Sequence, residues 1–183
     1  SAGDFLQRRF PDTLQRQWSH WFQVGLLAWQ QEEQRSGERQ FTKAPVWNFV
    51  VPPMLGSQMI QMGCLLPGRD SVGRHYPVCI QLSFSPAEWS SRLLGQAESW
   101  YQQLGRLGLH AVRNGFSASQ LDEMLMSIPA PQPVEPQKRS DILDVIGYDD
   151  DGQSTLGWPQ AAECFDPLRQ TSFWWTNLPG GYP

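Results

Sequence analysis

Apolar residues recur at three- and four-residue spacing through residues 12–34. Leu14, Trp18, Trp21, Phe22, Gly25 and Trp29 fall on one stripe, while Gln15, Arg16, Ser19, Gln23 and Gln30 lie mostly off it. That spacing predicts an amphipathic helix whose stripe faces a core. Pro11-Asp12 supplies the start, with the acid near the positive end of the dipole, and Gln34-Arg35-Ser36-Gly37 reads as the stop. The period then changes. Val46–Val51 (VWNFVV) is β-branched and aromatic and ends at Pro52-Pro53. Gln58–Leu66 partly alternates and stops at Pro67-Gly68, and Val78–Phe84 follows Pro77. Three strands with short connections predict an antiparallel meander.

Ser85-Pro86-Ala87-Glu88 has the form of a capping box with proline at the first helical position. Trp89, Leu93, Ala97, Trp100 and Leu104 continue it as a helical stripe, expected to end near Gly105–Gly108. Ser117-Ala118-Ser119-Gln120 is a second box ahead of Leu121, Leu125 and Ile128, with Pro129 as the stop. A Pro-rich loop at about 129–140 separates this part from a weaker tail. Its PxxP spacings have the form of an SH3-type ligand, but a plain spacer is the simpler reading. The tail offers a return strand (Asp141–Ile146), a solvated turn (Asp149–Gly152), a short helix near Pro159–Phe165 and a last, central strand at Ser172–Thr176. On that strand Trp174 and Trp175 point to opposite faces, so both are buried only if helices cover both sides. Trp47, Trp174 and Trp175 are assigned to the core. The sum is a single domain over 1–183 of the α/β class: a mixed sheet containing the meander, with helices packed on it.

Composition narrows the function. The 183 residues are 40% hydrophobic and 17% charged, enough to build one core and too apolar for a disordered chain. The net charge of −4 leaves no basic excess for nucleic acid. No apolar run has the length of a membrane span, and the first ten residues lack the layout of a signal peptide. Cys64, Cys79 and Cys164 are an odd, sparse set in apolar contexts, read as reduced, mostly buried thiols of a cytosolic protein. Nine tryptophans, nine phenylalanines and four tyrosines are the unusual feature. Most should pack the core, and some should serve a binding surface.

Catalytic constellations are thin. His20, His75 and His110 have no partner at zinc-site spacing, so no metal is expected. The Asp149–Asp151 run fails the EF-hand pattern, because Gly147 and Trp158 stand at its end positions. Cys79 four residues after His75 resembles a nucleophile–base pair, but an apolar strand is a poor setting for a thiolate. A small hydrolase using Cys79 or His75 is therefore the lesser alternative. Gly68–His75 (GRDSVGRH) has P-loop glycine spacing, yet Arg74 replaces the lysine, His75 replaces the Ser/Thr, and a strand follows instead of a helix. A phosphate-binding module at Gly68–Arg74 is thus also an alternative. The simpler reading pairs Asp70 with Arg74 across a bend bounded by Gly68 and Gly73. The rival reading makes Arg69, Arg74 and Tyr76 contacts for a partner protein. Neither needs a cofactor.

These segments, in order, resemble the TagF (ImpM) family of the bacterial type VI secretion system. The matching pieces are Gly3-Asp4-Phe5, the Trp-rich helix after Pro11, Ala44–Phe49 (APVWNF), Pro67–Pro77 (PGRDSVGRHYP) and Ser172–Trp175 (SFWW). Family members usually open with a short aromatic-Gly-Lys-Leu-Pro strand ahead of the Gly-Asp-Phe, and this sequence has no such segment. Pro129–Gly157 matches nothing in the family pattern. The resemblance implies a three-layer α/β sandwich with helices on both faces. It also implies a non-catalytic cytoplasmic accessory protein that represses type VI secretion post-translationally by binding a forkhead-associated scaffold protein. Some members are fused to a metal-dependent Ser/Thr phosphatase domain, for which 183 residues leave no length. On these grounds Gly3, Asp4, Phe5, Arg69, Asp70, Gly73, Arg74 and Tyr76 are the partner-binding or loop-shaping candidates.

Overall fold

The structure is a computed structural model that describes residues 9, 11–37, 41–54, 56–69, 75–132 and 161–176. Helix α1 (Asp12–Ser36) begins after Pro11 and ends on Gly37. Gly37 takes the left-handed conformation (φ 70°) and returns its N–H to the Glu33 carbonyl. Both ends therefore lie within about one turn of where the sequence places them.

Strands β1 (Trp47–Val51), β2 (Ile60–Arg69), β3 (His75–Phe84) and β4 (Phe173–Trp175) form a sheet of order β3-β2-β1-β4. Every pair in it is antiparallel, so among the described residues the mixed sheet is an antiparallel one. β4 lies at its margin, not at its centre, because among the described residues its only strand neighbour is β1.

β2 and β3 run farther than expected, straight through two prolines. Pro67 and Pro77 face each other in the register. In an antiparallel pair, alternate rungs point their N–H and C=O groups away from the partner strand. Two prolines opposite each other occupy such a rung without losing a hydrogen bond between the two strands. Pro67 also lies beyond the last β1 pairing, Trp47 with Leu65, so its missing N–H is not needed there either. The connection between the two strands shrinks accordingly to residues 70–74.

Alternation divides the sheet into two unlike faces. One carries Val50, Ile60, Met62, Cys64, Leu66 and Ile80, which form the core with Leu93, Leu94, Trp100, Tyr101, Leu104 and Phe165. These come from α2 (Ser91–Gly95), α3 (Glu98–Arg113) and the segment following α5 (Ala161–Cys164). The buried Tyr101 hydroxyl donates to the Phe49 carbonyl at 2.9 Å. The other face carries Phe49, Gln61, Gly63, Cys79, Gln81 and Trp174, and α1 packs against it. There the Trp18 ring meets Phe49 (5.2 Å) and Trp174 (6.4 Å), and its indole N–H donates to Gln61 Oε1 at 2.7 Å. Trp175 meets Tyr101 on the opposite side at 4.9 Å. Helical side chains thus reach both faces of the sheet, and the two neighbouring tryptophans separate between them as the alternation requires.

The helix expected from Pro86 onward is broken. Glu88 does accept from the Ser85 N–H (2.9 Å) and hydroxyl (2.8 Å), but residues 86–88 make a turn. Trp89 then packs between Phe84 and Phe165, and α2 and α3 follow as separate helices. Nor do Gly105 and Gly108 end α3. Both are buried inside it, and a Cβ on Gly108 would meet the Leu66 methyls at 3.0 and 3.1 Å. Glycine here lets the helix lie close on the sheet. α4 (Ala118–Leu125) has the full Ser117/Gln120 capping box but ends before Pro129. The strand expected at Asp141–Ile146 and the Asp149–Gly152 turn lie outside the described residues.

Candidate interaction surface

α1 is longer than the sheet face needs, and only one side of it is used. Leu14 and Phe22 are buried, Trp18 and Trp29 are half-buried, and Gly25 has nothing nearby. Trp21, Val24 and Leu27 stand 48%, 54% and 59% exposed. Their three-residue spacing aligns them on a second apolar stripe, facing solvent. Trp21 belongs to the expected core stripe, yet it stays half exposed, with one side of its ring against Trp18 (5.4 Å), Phe22 (5.8 Å) and Trp174 (5.5 Å). Trp47, also assigned to the core, is 39% exposed at the end of β1.

The far half of α1 is fixed to the β2–β3 hairpin end by a stack of rings. Trp29 meets Phe41 edge-on at 4.9 Å, and Phe41 lies flat on His75 at 5.2 Å and 17°. The Phe41 N–H donates to Glu33 Oε1 at 3.1 Å, tying this short 3-10 turn (Phe41–Lys43) back to the helix. Nothing in the hydropathy pattern marks Phe41, because it stands alone between polar residues. Its proximity to His75 exists only once the hairpin has folded.

Of the expected site residues, Arg69 and Tyr76 are described. Arg69 ends β2, exposed, opposite His75. Tyr76 pairs with Gly68, one rung inward, and so points to the other face. The two do not share a patch. A Cβ on Gly68 would come within 2.7 Å of the Tyr76 ring, so glycine there makes room for that ring. Gly3, Asp4, Phe5, Asp70, Gly73 and Arg74 lie outside the described residues, and with them the Asp70–Arg74 pair.

Cys79 and His75 share a face of β3 but lie four rises apart, about 13 Å along the strand. They do not form a nucleophile–base pair. Burial, with Cys64 nearby, pushes the Cys79 thiol well above its ordinary value, which disfavours the thiolate. Burial alone pushes Cys64 up to about 12. Cys164 is exposed, not buried, because Ala162 and Phe165 beside it take the core-facing side of this short segment. No group of three or more His, Cys, Asp or Glu among the described residues is placed to hold a metal. No helix among them is long and apolar enough to cross a membrane.

The family model described as "TagF N-terminal domain, Type VI secretion system-associated" matches residues 1–128. No curated protein matches the chain. Among solved structures, PA0076 from Pseudomonas aeruginosa PAO1 is similar, with 25% identity and a TM-score of 0.62 over 70% of this chain. The similarity takes in 59% of that chain's length. The Trp-rich α1, the hairpin and helices α2 to α4 fall within the family match, and this protein belongs to the TagF N-terminal domain family associated with type VI secretion.

Proposed function

We propose that this chain is a non-catalytic cytoplasmic accessory protein that represses type VI secretion by binding a forkhead-associated scaffold protein of the same system. The partner comes from the family resemblance. The observation that carries a binding role is the solvent-facing stripe Trp21–Val24–Leu27 on α1. Three large apolar side chains aligned on a rigid helix favour a protein partner, since burying them removes apolar area from water without reorganising the fold. The ring stack Trp29–Phe41–His75 holds that helix against the hairpin that ends in Arg69, so the stripe and the hairpin end are presented as one framework.

The test is capture of the tagged scaffold protein by purified chain. Val24→Glu with Leu27→Glu changes only exposed positions and should leave thermal stability within a few degrees while reducing capture at least about tenfold. Arg69→Ala and Arg74→Ala should weaken it less. Normal capture by the folded double variant would remove α1 as the contact surface. Failure of the unaltered chain to capture the scaffold would remove the partner assignment.

A further inference from the structure

The two halves of α1 are held differently. Before Gly25, Leu14 and Phe22 are buried, and the Trp18 ring lies among Phe22 (5.3 Å), Phe49 (5.2 Å) and Trp174 (6.4 Å). Over residues 26–35 no side chain is fully buried: Leu26, Trp29 and Glu33 are half-buried and the rest are exposed. Trp29 and Glu33 both reach the same residue, Phe41, one through its ring and the other through its N–H. Phe41 is buried and lies flat on His75, the first residue of β3. Its turn is closed by the Ala44 N–H, which donates to the Phe41 carbonyl at 3.2 Å. Gly25 marks the join between the halves. A Cβ there would meet nothing within 4 Å, so no close approach calls for glycine, and its poor helix propensity weakens α1 at this point.

We propose that α1 from Gly25 onward opens as a separate unit together with the Phe41 turn, while its first half and the core beneath α2 and α3 stay folded. Phe41 is the latch. Segments open locally where few apolar side chains are buried, and in this unit burial is concentrated in Phe41, with Leu26 and Trp29 partly covered. Releasing the first half costs more, because it brings Leu14 and Phe22 into water and parts the Trp18 ring from Phe49 and Trp174. Opening also divides the stripe. Leu27 belongs to the opening half, whereas Trp21 and Val24 belong to the fixed one, so the three are aligned while the latch is closed. The latch lies on His75 at the hairpin end, which couples that end of the molecule to the outer surface of α1. This coupling rests on the stripe's binding role proposed above; the opening does not.

Native-state hydrogen exchange of the unaltered chain in rising, sub-denaturing urea reads the opening without a partner. Amides of residues 26–36, with those of Phe41 and Ala44, should share one opening free energy below the global value and a shallow urea dependence. Amides of residues 16–22 and of α3 should follow global unfolding with its steep dependence. Ile60→Val, a mild loss in the core, should speed the global set about fivefold and leave the unit's rates unchanged. Phe41→Leu keeps the site apolar but removes both ring contacts, and should speed exchange across residues 26–36 and at Ala44 about tenfold. The proposal is overturned if residues 26–36 share the global free energy, or if they open singly with graded values. It is equally overturned if Ile60→Val speeds both sets alike, or if folded Phe41→Leu leaves residues 26–36 unchanged. Saturating scaffold protein, bound to the aligned stripe, should slow exchange across residues 26–36 towards the global rate. Bound scaffold without such slowing overturns the coupling to the stripe. Failure of the scaffold to bind removes the partner assignment, and the urea series still decides the opening.

Discussion

Individual glycines decide where this chain can pack closely. A Cβ at Gly63 would run into the Ile80 carbonyl and lie 2.8 Å from the Gln81 Cα, both backbone atoms that cannot step aside. At Gly108 the obstacles are the ends of Leu66 and Ile80 side chains, at 3.0–3.3 Å, which can turn. Gly63→Ala should therefore cost about 2 kcal/mol or more, whereas Gly108→Ala should cost clearly less, helped by the better helix propensity of alanine. Urea titrations of the two variants check the order, and equal losses would contradict it. This difference is not legible in a sequence. Gly105 and Gly108 read as a helix stop by local rules, but both are buried inside α3, and contact with β2 and β3 shows Gly108 as a close-approach position. The exposed Cys164 is a similar case, since Ala162 and Phe165 beside it turn to the core while the thiol does not.

Two boxes of the same form behave differently at the level of elements. Ser117 and Gln120 cap α4 reciprocally, with the Gln120 N–H donating to Ser117 Oγ at 3.2 Å and the Ser117 N–H to Gln120 Oε1 at 2.9 Å. At Ser85 only half of that box forms, within a turn: the Ser85 N–H and hydroxyl both donate to the Glu88 carboxylate, while the Glu88 N–H donates to the Ser85 carbonyl, and the two bonds to the carboxylate hold it below its ordinary value. No residue of α4 is fully buried, so its cap carries an unusual share of its stability. Ser117→Ala should lower stability by about 1 kcal/mol and speed amide exchange in α4 about fivefold, whereas Ser85→Ala should leave helix exchange unchanged. Comparable exchange in both variants would refute this. Periodicity and capping located α1, β1 and α4 well, because each depends on nearby residues. They misjudged β2 and β3, because a proline is tolerable in a strand only when the facing residue and the neighbouring strand make no demand on its N–H. That is a property of the pairing.

Taken whole, the molecule is asymmetric about its sheet. One face is sealed by α2, α3 and the Phe165 segment, with Cys64 and Tyr101 buried beneath them. The other, among the described residues, lies under α1 and the Phe41 turn and includes Gln61, Cys79 and Gln81 among its side chains. Burial holds Cys64, Cys79 and Tyr101 in their neutral forms, each above its ordinary value. The native state thus keeps protons that the unfolded chain releases. The stability from Cys64 is fully present below pH 9.0, the ordinary thiol value, and is lost as pH rises towards about 12, at roughly 1.4 kcal/mol per pH unit. Denaturation midpoints measured from pH 8 upward should fall, and Cys64→Val should flatten part of the slope. A flat profile in the unaltered chain would reverse the assignment. The division into helix and sheet was readable from the chain because hydropathy encodes it. The second apolar stripe of α1 was not, since Trp21 reads as a core residue, Val24 and Leu27 lie off the expected stripe, and only their shared exposure sets the three together. The facing prolines have one more effect. Were β3 to slide by a single position against β2, one or other imino nitrogen would land where a donor is required, whichever way the ladder were phased. That is the misalignment that would turn the greasy side of the hairpin to water. The pair therefore acts as a proofreading device, penalising the wrong zipper before the rest of the chain can close over it.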